Sequence, residues 1–175
     1  EVTLSEAVQY SRKVVINCPV NVEIYEPDGS LIETLYNNVL SDITNDFGRF
    51  AVVYQPYSND YAKVLCFNDD RDYVIKIIGI DDGLVNLNLA SVNDDIIYSF
   101  SNICTEENDV IQAGINQIIE DKSCDYDKNN DGIIDSQITV VTHDTNYIPV
   151  ESISFESEEL ELTVGETAIL DIKLT

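Results

Sequence analysis

The sequence predicts an all-β chain organised around an antiparallel β-sandwich. Short runs of residues alternate between apolar and polar along much of its length, which is typical of strands that bury one face. Clusters of Asn, Asp and Gly interrupt these runs at intervals of about 8–12 residues, the spacing expected of sandwich strands. Hydrophobic residues make up 44% of the 175 residues and charged residues 24%, so the chain has enough apolar side chains to form a core.

The first predicted element is a β-hairpin. Residues 20–25, VNVEIY, alternate apolar and polar side chains as a half-buried strand does. The sequence PDGS follows at 27–30, and it predicts a tight turn because proline fixes φ and glycine permits a positive φ. Residues 31–35 are therefore predicted to be the return strand.

Five further runs predict strands of the same sandwich. They are Phe50–Tyr54, Tyr61–Phe67, Tyr73–Ile80, Leu84–Val92 and Ile96–Ile103. Polar clusters such as NDD at 68–70 and DDG at 81–83 separate some of them. The run at 73–80 is nearly continuous in apolar residues, which predicts a central strand buried on both faces.

The segment 108–119 fits two interpretations. Isoleucines recur in it at helical spacing behind Asn108 and Asp109, which can cap a helix. Gly114 lies in the middle of this pattern and disfavours a helix. A short helix and a final strand are both compatible with this sequence.

Charge is the strongest global feature, because 33 acidic residues against 9 basic ones leave a formal net charge of −24. The chain lacks the clustered Lys and Arg that nucleic-acid binding requires, and an anionic membrane surface would repel it. It attracts divalent cations, whose binding would relieve the self-repulsion of the folded chain. Solubility of an exported module is the simpler explanation for many of these acids.

Membrane insertion is not predicted, because no run of 18 apolar residues occurs. The chain begins at Glu1 without the basic and apolar segments of a signal peptide. We interpret it as a fragment or mature piece of a longer protein.

The acidic stretch DYDKNNDGIIDS at 125–136 has the pattern of a calcium-binding loop. Calcium takes about six to eight oxygen ligands, and a short loop supplies them only if its backbone turns sharply midway, which Gly132 permits. The predicted ligands are the side chains of Asp127, Asn129, Asp131 and Asp135 and the carbonyl oxygen of Ile133. Ile134 is expected to turn inward to the core, and residues 133–141 are predicted as a strand.

One position of this loop departs from the EF-hand pattern. The twelfth residue, where an EF-hand has a bidentate acid, is Ile138. Asp125, Asp121 or water is expected to complete the coordination of the ion. The pattern resembles the DxDxDGxxD calcium loops of extracellular modules. Because the loop lies in the predicted linker and a strand is predicted after it, we interpret the ion as structural and not as part of a sensor. A solvated acidic turn without an ion is the alternative.

The last 26 residues, VESISFESEELELTVGETAILDIKLT, alternate apolar and polar side chains around Gly165. They resemble the opening strands of group 2 bacterial immunoglobulin-like domains in the ISF strand, the LELTVGETAIL strand pair and the glycine. The resemblance implies a partial second immunoglobulin-like unit. Unpaired strand edges in such a unit favour pairing between chains or with the first domain.

Two stretches of the first half, CPVNVEIYEPDGS at 18–30 and DYVIKIIGIDDGLVNLNL at 72–89, carry a second resemblance. They are similar to a β-sandwich accessory domain of extracellular bacterial proteins, with the pattern SPVDVEVYDPDG and a YxIKIxGTxxG strand pair. Cys18 and Ile80 replace the usual serine and threonine. This resemblance implies an immunoglobulin-like sandwich without catalytic residues. The expected organisation is a sandwich at 1–120, a calcium-binding linker at 121–148 and the partial unit at 149–175.

Catalysis is not predicted. His143 is the only histidine, it lies in the polar sequence THDT expected to be a loop, and no GxSxG motif accompanies it. So many acidic residues place some carboxylate pairs at distances suited to glycoside hydrolysis by chance, but no sequence feature singles out one pair.

Two other residue types suggest sites. Tyr54, Tyr57 and Tyr61 surround Pro56, and they are candidates for a platform that stacks on sugars, with packing inside the sandwich as the alternative.

The four cysteines show no CxxC spacing, so a zinc site is not predicted. They are Cys18, Cys66, Cys104 and Cys124. Two disulfides and four buried thiols are both compatible with this arrangement.

We therefore expect a non-catalytic accessory module of a larger secreted or cell-surface bacterial protein, stabilised by structural Ca²⁺ at the linker. Its expected partners are the neighbouring domains of that protein, with strand pairing between chains as a further interaction. A module that binds a glycan or a host protein, as an adhesin does, and a fragment of a secreted hydrolase are the alternatives.

Overall fold

A computed structural model of the protein describes residues 10–17, 19–41, 48–56, 60–91, 96–144, 153–155 and 172–174. The described strands are β1 Arg12–Asn17, β2 Val20–Tyr25, β3 Leu31–Tyr36, β4 Val39–Leu40, β5 Gly48–Gln55, β6 Asp60–Phe67, β7 Val74–Gly79, β8 Gly83–Ser91, β9 Ile96–Thr105, β10 Val110–Gly114, β11 Ser123–Asp127, β12 Ser136–Thr139, β13 Thr142–Asp144, β14 Ile153–Phe155 and β15 Ile172–Leu174. Helix α1 spans Ile115–Asp121, and a 3₁₀ turn spans Lys128–Asn130.

The strands pair in antiparallel fashion and form two large sheets. The six-stranded sheet has the order β13-β9-β8-β1-β6-β5, and the seven-stranded sheet has the order β12-β11-β10-β7-β2-β3-β4. This confirms the predicted all-β architecture of antiparallel sheets.

A hydrophobic core of described residues joins the two sheets. The six-stranded sheet contributes Val14, Leu65 and Leu87 to it, and the seven-stranded sheet contributes Val22 and Ile77. These side chains are at most 2% exposed, and complete burial of a residue of this size contributes about 1.5–3 kcal/mol. In strands such as β2 and β7, alternate residues are buried in this core, as expected of a sandwich.

The predicted hairpin is confirmed. The amide of Glu26 donates to the carbonyl of Ser30, and the amide of Gly29 donates to the carbonyl of Glu26, both at 2.9 Å. Gly29 has a φ of 86°, which a residue with a Cβ rarely adopts. The PDGS sequence therefore turns the chain as predicted.

Strand β7 is the central strand of its sheet, as predicted, but the prediction that it is buried on both faces is wrong. Ile75 and Ile77 point into the core, whereas Val74, Lys76 and Ile78 are only half-buried. The physical reason is that each sheet of a sandwich faces its partner on one side only.

The segment 108–121 contains both of the structures that its sequence allows. Strand β10 ends at Gly114 and helix α1 begins at Ile115, whose side chain is buried. A Cβ on Gly114 would lie 3.1 Å from Oδ1 of Asp72, so the close approach of this loop favours glycine. Asn108 and Asp109 precede the strand and do not cap the helix.

Residues 123–144, which fall within the predicted linker, pair with both sheets. Strand β11 pairs with β10, β12 pairs with β11, and β13 pairs with β9 of the other sheet. Strand β12 is shorter than the predicted strand at 133–141, because Ile133–Asp135 belong to the loop before it. The sandwich thus extends beyond residue 120.

The described part of the last 26 residues is a two-stranded ladder. Ile153 of β14 pairs with Leu174 of β15, and Phe155 pairs with Ile172. Residues 156–171, which include Gly165 and most of the residues of the immunoglobulin-like resemblance, lie outside the described ranges.

Candidate metal centre and aromatic sites

The predicted calcium loop, residues 127–135, connects β11 to β12 and is called the acidic loop below. It starts at Asp127, passes through the 3₁₀ turn and reverses at Gly132, which has a φ of 85°. Asn129 and Asn130 also have positive φ, at 67° and 56°. Glycine and asparagine tolerate this conformation best, so the sequence DKNNDG is well suited to a tightly curled backbone.

The carboxylates of the acidic loop hold its own backbone. Asp127 is 7% exposed and accepts the amides of Asp131 at 3.1 Å and Gly132 at 3.0 Å. Asp131 accepts the amide of Ile133 at 2.9 Å. Asp135 accepts the amide of Lys128 at 2.7 Å, which ties the end of the loop to its start. Three of the predicted ligands are thereby brought into one small loop.

A further acidic residue, Asp109, which directly precedes β10, supports the loop, and the sequence did not single it out as a site residue. Its side chain is 1% exposed and accepts the amides of Glu106 at 2.8 Å and Asn129 at 3.0 Å. It also accepts the hydroxyl of Tyr126. The only sequence signal was an acid beside Asn108, a pattern equally typical of a helix cap.

The contacts of Asp109 change two pKa values. Burial alone would raise the pKa of Asp109, but the hydrogen bonds from Tyr126, Glu106 and Asn129 outweigh it, so this pKa lies below its ordinary value. Burial and the Asp109 carboxylate both raise the pKa of the Tyr126 hydroxyl. Asp109 is therefore a buried anion whose partners are neutral donors.

The carboxylates of the acidic loop form no ion pair in the part of the chain that the structure describes. Within the described ranges, no Lys or Arg forms an ion pair with Asp127, Asp131 or Asp135. Lys128 pairs instead with Glu106, at 3.4 Å between two exposed side chains.

The remaining predicted ligands are not gathered as expected. Asp125 lies in β11 and accepts the side-chain amide of Gln137 at 3.1 Å. Asn129 and Ile133 are exposed. Ile134 is 47% exposed, so the prediction that it turns inward is wrong, because the core ends at β11 and β12 beside it. No three His, Cys, Asp or Glu side chains of the described residues form a group with metal-binding geometry.

The donor set nevertheless fits a hard cation chemically. A carboxylate oxygen that accepts one amide keeps a second lone pair, so Asp127, Asp131 and Asp135 retain acceptor capacity. Oxygen is the ligand atom that calcium prefers, and a tightly curled loop is the usual framework for it. Asp127, Asp131 and Asp135, with the carbonyl of Ile133, are the groups that would hold such an ion.

Two of the three predicted platform tyrosines meet at the edge of the six-stranded sheet. Tyr54 of β5 pairs directly with Tyr61 of β6. Their rings lie 5.3 Å apart between centroids at an angle of 58°, and the residues are 48% and 41% exposed. Tyr57 lies outside the described residues. The pair offers an exposed aromatic surface.

The described cysteines Cys66, Cys104 and Cys124 are free thiols, and Cys18 lies outside the described ranges. Cys124 lies in the core, and burial raises the pKa of its thiol to about 12. His143 was expected in a loop but lies in β13, opposite Tyr98 of β9.

Comparison with protein-family models, with curated proteins and with solved structures finds no match to this chain. In the part of the chain that the structure describes, no helix is long and apolar enough to cross a membrane.

Proposed function

We propose that this chain is a non-catalytic structural module of a larger secreted or cell-surface bacterial protein, and that its acidic loop binds a structural calcium ion. The bacterial and extracellular setting rests on the two family resemblances. The calcium ion rests on the residues of the loop.

One observation carries the proposal: Asp127 folds the loop by accepting two amides across Gly132, while the carboxylates around it have no cationic partner among the described residues. Three carboxylates in so short a loop repel one another at neutral pH. A divalent cation would remove that repulsion and use the lone pairs that remain free.

The proposed ion would stabilise the sandwich. The acidic loop joins two strands of the seven-stranded sheet and is tied through Asn129 and Asp109 to β10. An ion bound there therefore resists the separation of the edge strand β12 and its neighbour β11 from the sheet. Such a module would act as a stable spacer or support for the neighbouring domains of its parent protein.

Thermal unfolding with and without calcium tests the proposal. A hundredfold excess of calcium over its Kd should stabilise the chain by about 2.7 kcal/mol relative to EDTA. For a chain of this size the melting temperature should rise by about 5–10 °C.

Two variants that remove the same charge make this test specific. Asp131→Ala should abolish the calcium-dependent shift. Asp82→Ala, at an exposed turn between β7 and β8, should keep it. An equal melting temperature in calcium and EDTA for the unmodified chain would overturn the proposed ion.

A second candidate function, binding of a glycan or host protein, is favoured by the exposed pair of Tyr54 and Tyr61. Aromatic rings stack well on the apolar faces of sugars. A glycan array probed with the unmodified chain and with Tyr61→Ala tests it, and the expected result is that this substitution abolishes at least one of the signals. Signals that are the same for both proteins would argue against this surface.

A further inference from the structure

We propose that the outer face of the seven-stranded sheet carries a second binding site, which takes a neutral oligosaccharide with one sugar ring seated beside Tyr25, Lys76 and Gln112. This site is separate from the acidic loop and from the pair of Tyr54 and Tyr61. It adds a binding activity to the proposed structural function.

The site is a cavity of about 260 Å³ that opens on the sheet surface. Tyr25 and the Pro27–Gly29 turn form its wall, and Val74, Lys76 and Gln112 form its floor. Ligand sites combine apolar contact with a few polar groups that converge on the ligand. This cavity has both features.

The polar groups of the floor are available to a ligand. The side chains of Lys76 and Gln112 make no hydrogen bond to another described residue. The ammonium of Lys76 lies 5.4 Å from the centroid of the Tyr25 ring. The site therefore offers charged donors from Lys76 and both a donor and an acceptor from the Gln112 amide, which suits the hydroxyl groups of a sugar.

The wall of the cavity is held in place before any ligand binds. The hydroxyl of Tyr25 donates to Oε2 of Glu23 at 2.5 Å, and Glu23 also accepts the hydroxyl of Tyr36. Glu26 at the rim is paired with Arg71 at 2.8 Å. A ring fixed in this way loses little side-chain entropy when a ligand packs against it.

The sheet surface on either side of the cavity is also polar. Strand register places six polar residues in one row across the sheet, in the order Thr34, Glu23, Lys76, Gln112, Asp125 and Gln137. With neighbouring strands about 4.8 Å apart, the row is about 24 Å long. This length suits an extended chain of several sugar units.

Charge decides in favour of a neutral ligand. Glu23 and Asp125 lie on either side of Lys76 and Gln112 in the row, and the whole chain has a net charge of −24. A polyanion would be repelled by this field, whereas a neutral polyol meets donors and acceptors along the whole row.

Binding of defined oligosaccharides in EDTA tests the proposal independently of calcium. The probes are hexasaccharides of glucose, xylose and mannose, with hexagalacturonate as the anionic comparison, and the measurement is isothermal titration calorimetry. We expect at least one neutral hexasaccharide to bind. Gln112→Ala and Lys76→Met should each raise its Kd about three- to tenfold, the effect of one lost hydrogen bond.

Two control variants separate this site from others. Asn88→Ala, on the outer face of the six-stranded sheet, and Tyr61→Ala should leave the Kd unchanged, and every variant should keep the melting temperature of the unmodified chain. Three results would overturn the proposal: no binding of any neutral probe, a Kd insensitive to both Gln112→Ala and Lys76→Met, or binding of hexagalacturonate alone.

Discussion

The two ends of strands β7 and β10 are organised by ionisable side chains of opposite sign. At one end lies the Arg12 cluster, which consists of Arg12, Asp69, Arg71, Tyr73 and Asn116. At the other end lies the acidic loop with its support, Asp109. Both gather a loop by hydrogen bonds to its backbone. Among the described residues, Arg12 and Arg71 form ion pairs with Asp69, whereas the carboxylates of the acidic loop form none.

The Arg12 cluster is held by a buried cation. Arg12 is 4% exposed, and its Nη2 donates to the carbonyls of Asp69 and Arg71, each at 2.6 Å. Burial lowers the pKa of Arg12, while the carboxylates of Asp69 and its acidic neighbours act in the opposite direction. The loop between β6 and β7 is thus fixed to β1, and through Asn116 to helix α1.

The acidic loop reverses this arrangement, because its carboxylates accept amides and form no ion pair with a Lys or Arg of the described ranges. Lys128, the basic residue within it, pairs outside the loop with Glu106. The first loop contains ion pairs between described side chains, whereas the second, in our proposal, takes its cation from solution. Three mutational experiments would break or sharpen this contrast.

The largest effect is expected for Arg12→Met. The substitution removes two charge-assisted hydrogen bonds, to the carbonyls of Asp69 and Arg71, so the free energy of unfolding should fall by about 3–5 kcal/mol. Urea denaturation measures it. Lys13→Met, the exposed neighbour on the same strand, should cost no more than about 0.5 kcal/mol.

The loss in Arg12→Met should be the same in calcium and in EDTA, because the cluster and the acidic loop share no side chains. A calcium-dependent loss would contradict the separation of the two ends.

An intermediate effect is expected for Asp127→Ala. This substitution removes the acceptor of two loop amides, so it should cost about 2–3 kcal/mol in EDTA and more in calcium, where the unmodified chain also gains the bound ion. Urea denaturation in both conditions separates the two contributions. If the loss matched that of Asp82→Ala in both, Asp127 would not organise the loop.

The smallest effect on stability is expected for Asp109→Asn, and it is expected at acidic pH. Because the folded pKa of Asp109 lies below its ordinary value of 3.8, this carboxylate stabilises the fold above that pH, and the contribution is lost as the pH falls through the folded pKa. Asparagine does not titrate there. Stability measured from about pH 5 to about pH 2 should therefore fall less steeply in Asp109→Asn than in the unmodified chain.

Tyr126→Phe provides the matched control for that experiment. It removes one donor to Asp109 but keeps the carboxylate, so its pH dependence should lie between those of the other two proteins. A profile for Asp109→Asn as steep as that of the unmodified chain would show that other carboxylates control the acid transition.

The sequence predicted what depends on local pattern and missed what depends on distant contacts. The hairpin at 20–35 follows from two-residue alternation and a PDG turn, both visible within sixteen residues. The Arg12 cluster joins residues 57 and 104 positions apart, so no window along the chain contains it. Asp109 and Asn129 are likewise 20 positions apart.

The sequence predicts only part of the acidic loop, because some of its contacts depend on distant residues. Its tight reversal at Gly132 is a local property, and the sequence shows it. The exposure of Ile134 and the contact of Asp125 with Gln137 depend on where the sheet ends, which is set by the pairing of β11 with β12. Side-chain direction beyond a turn therefore required the structure.

The crossing between the sheets at Val140 and Val141 has a mechanical consequence. The amide of Val140 donates to the carbonyl of Lys122, beside the seven-stranded sheet, and the next amide donates to Ser99 of the six-stranded sheet, both at 2.9 Å. Tension applied beyond Asp144 would first have to peel β13 from β9, and then β12 from β11, before it reached Asp135. Two strand pairings, β13 with β9 and β12 with β11, therefore have to break before the tension reaches the acidic loop.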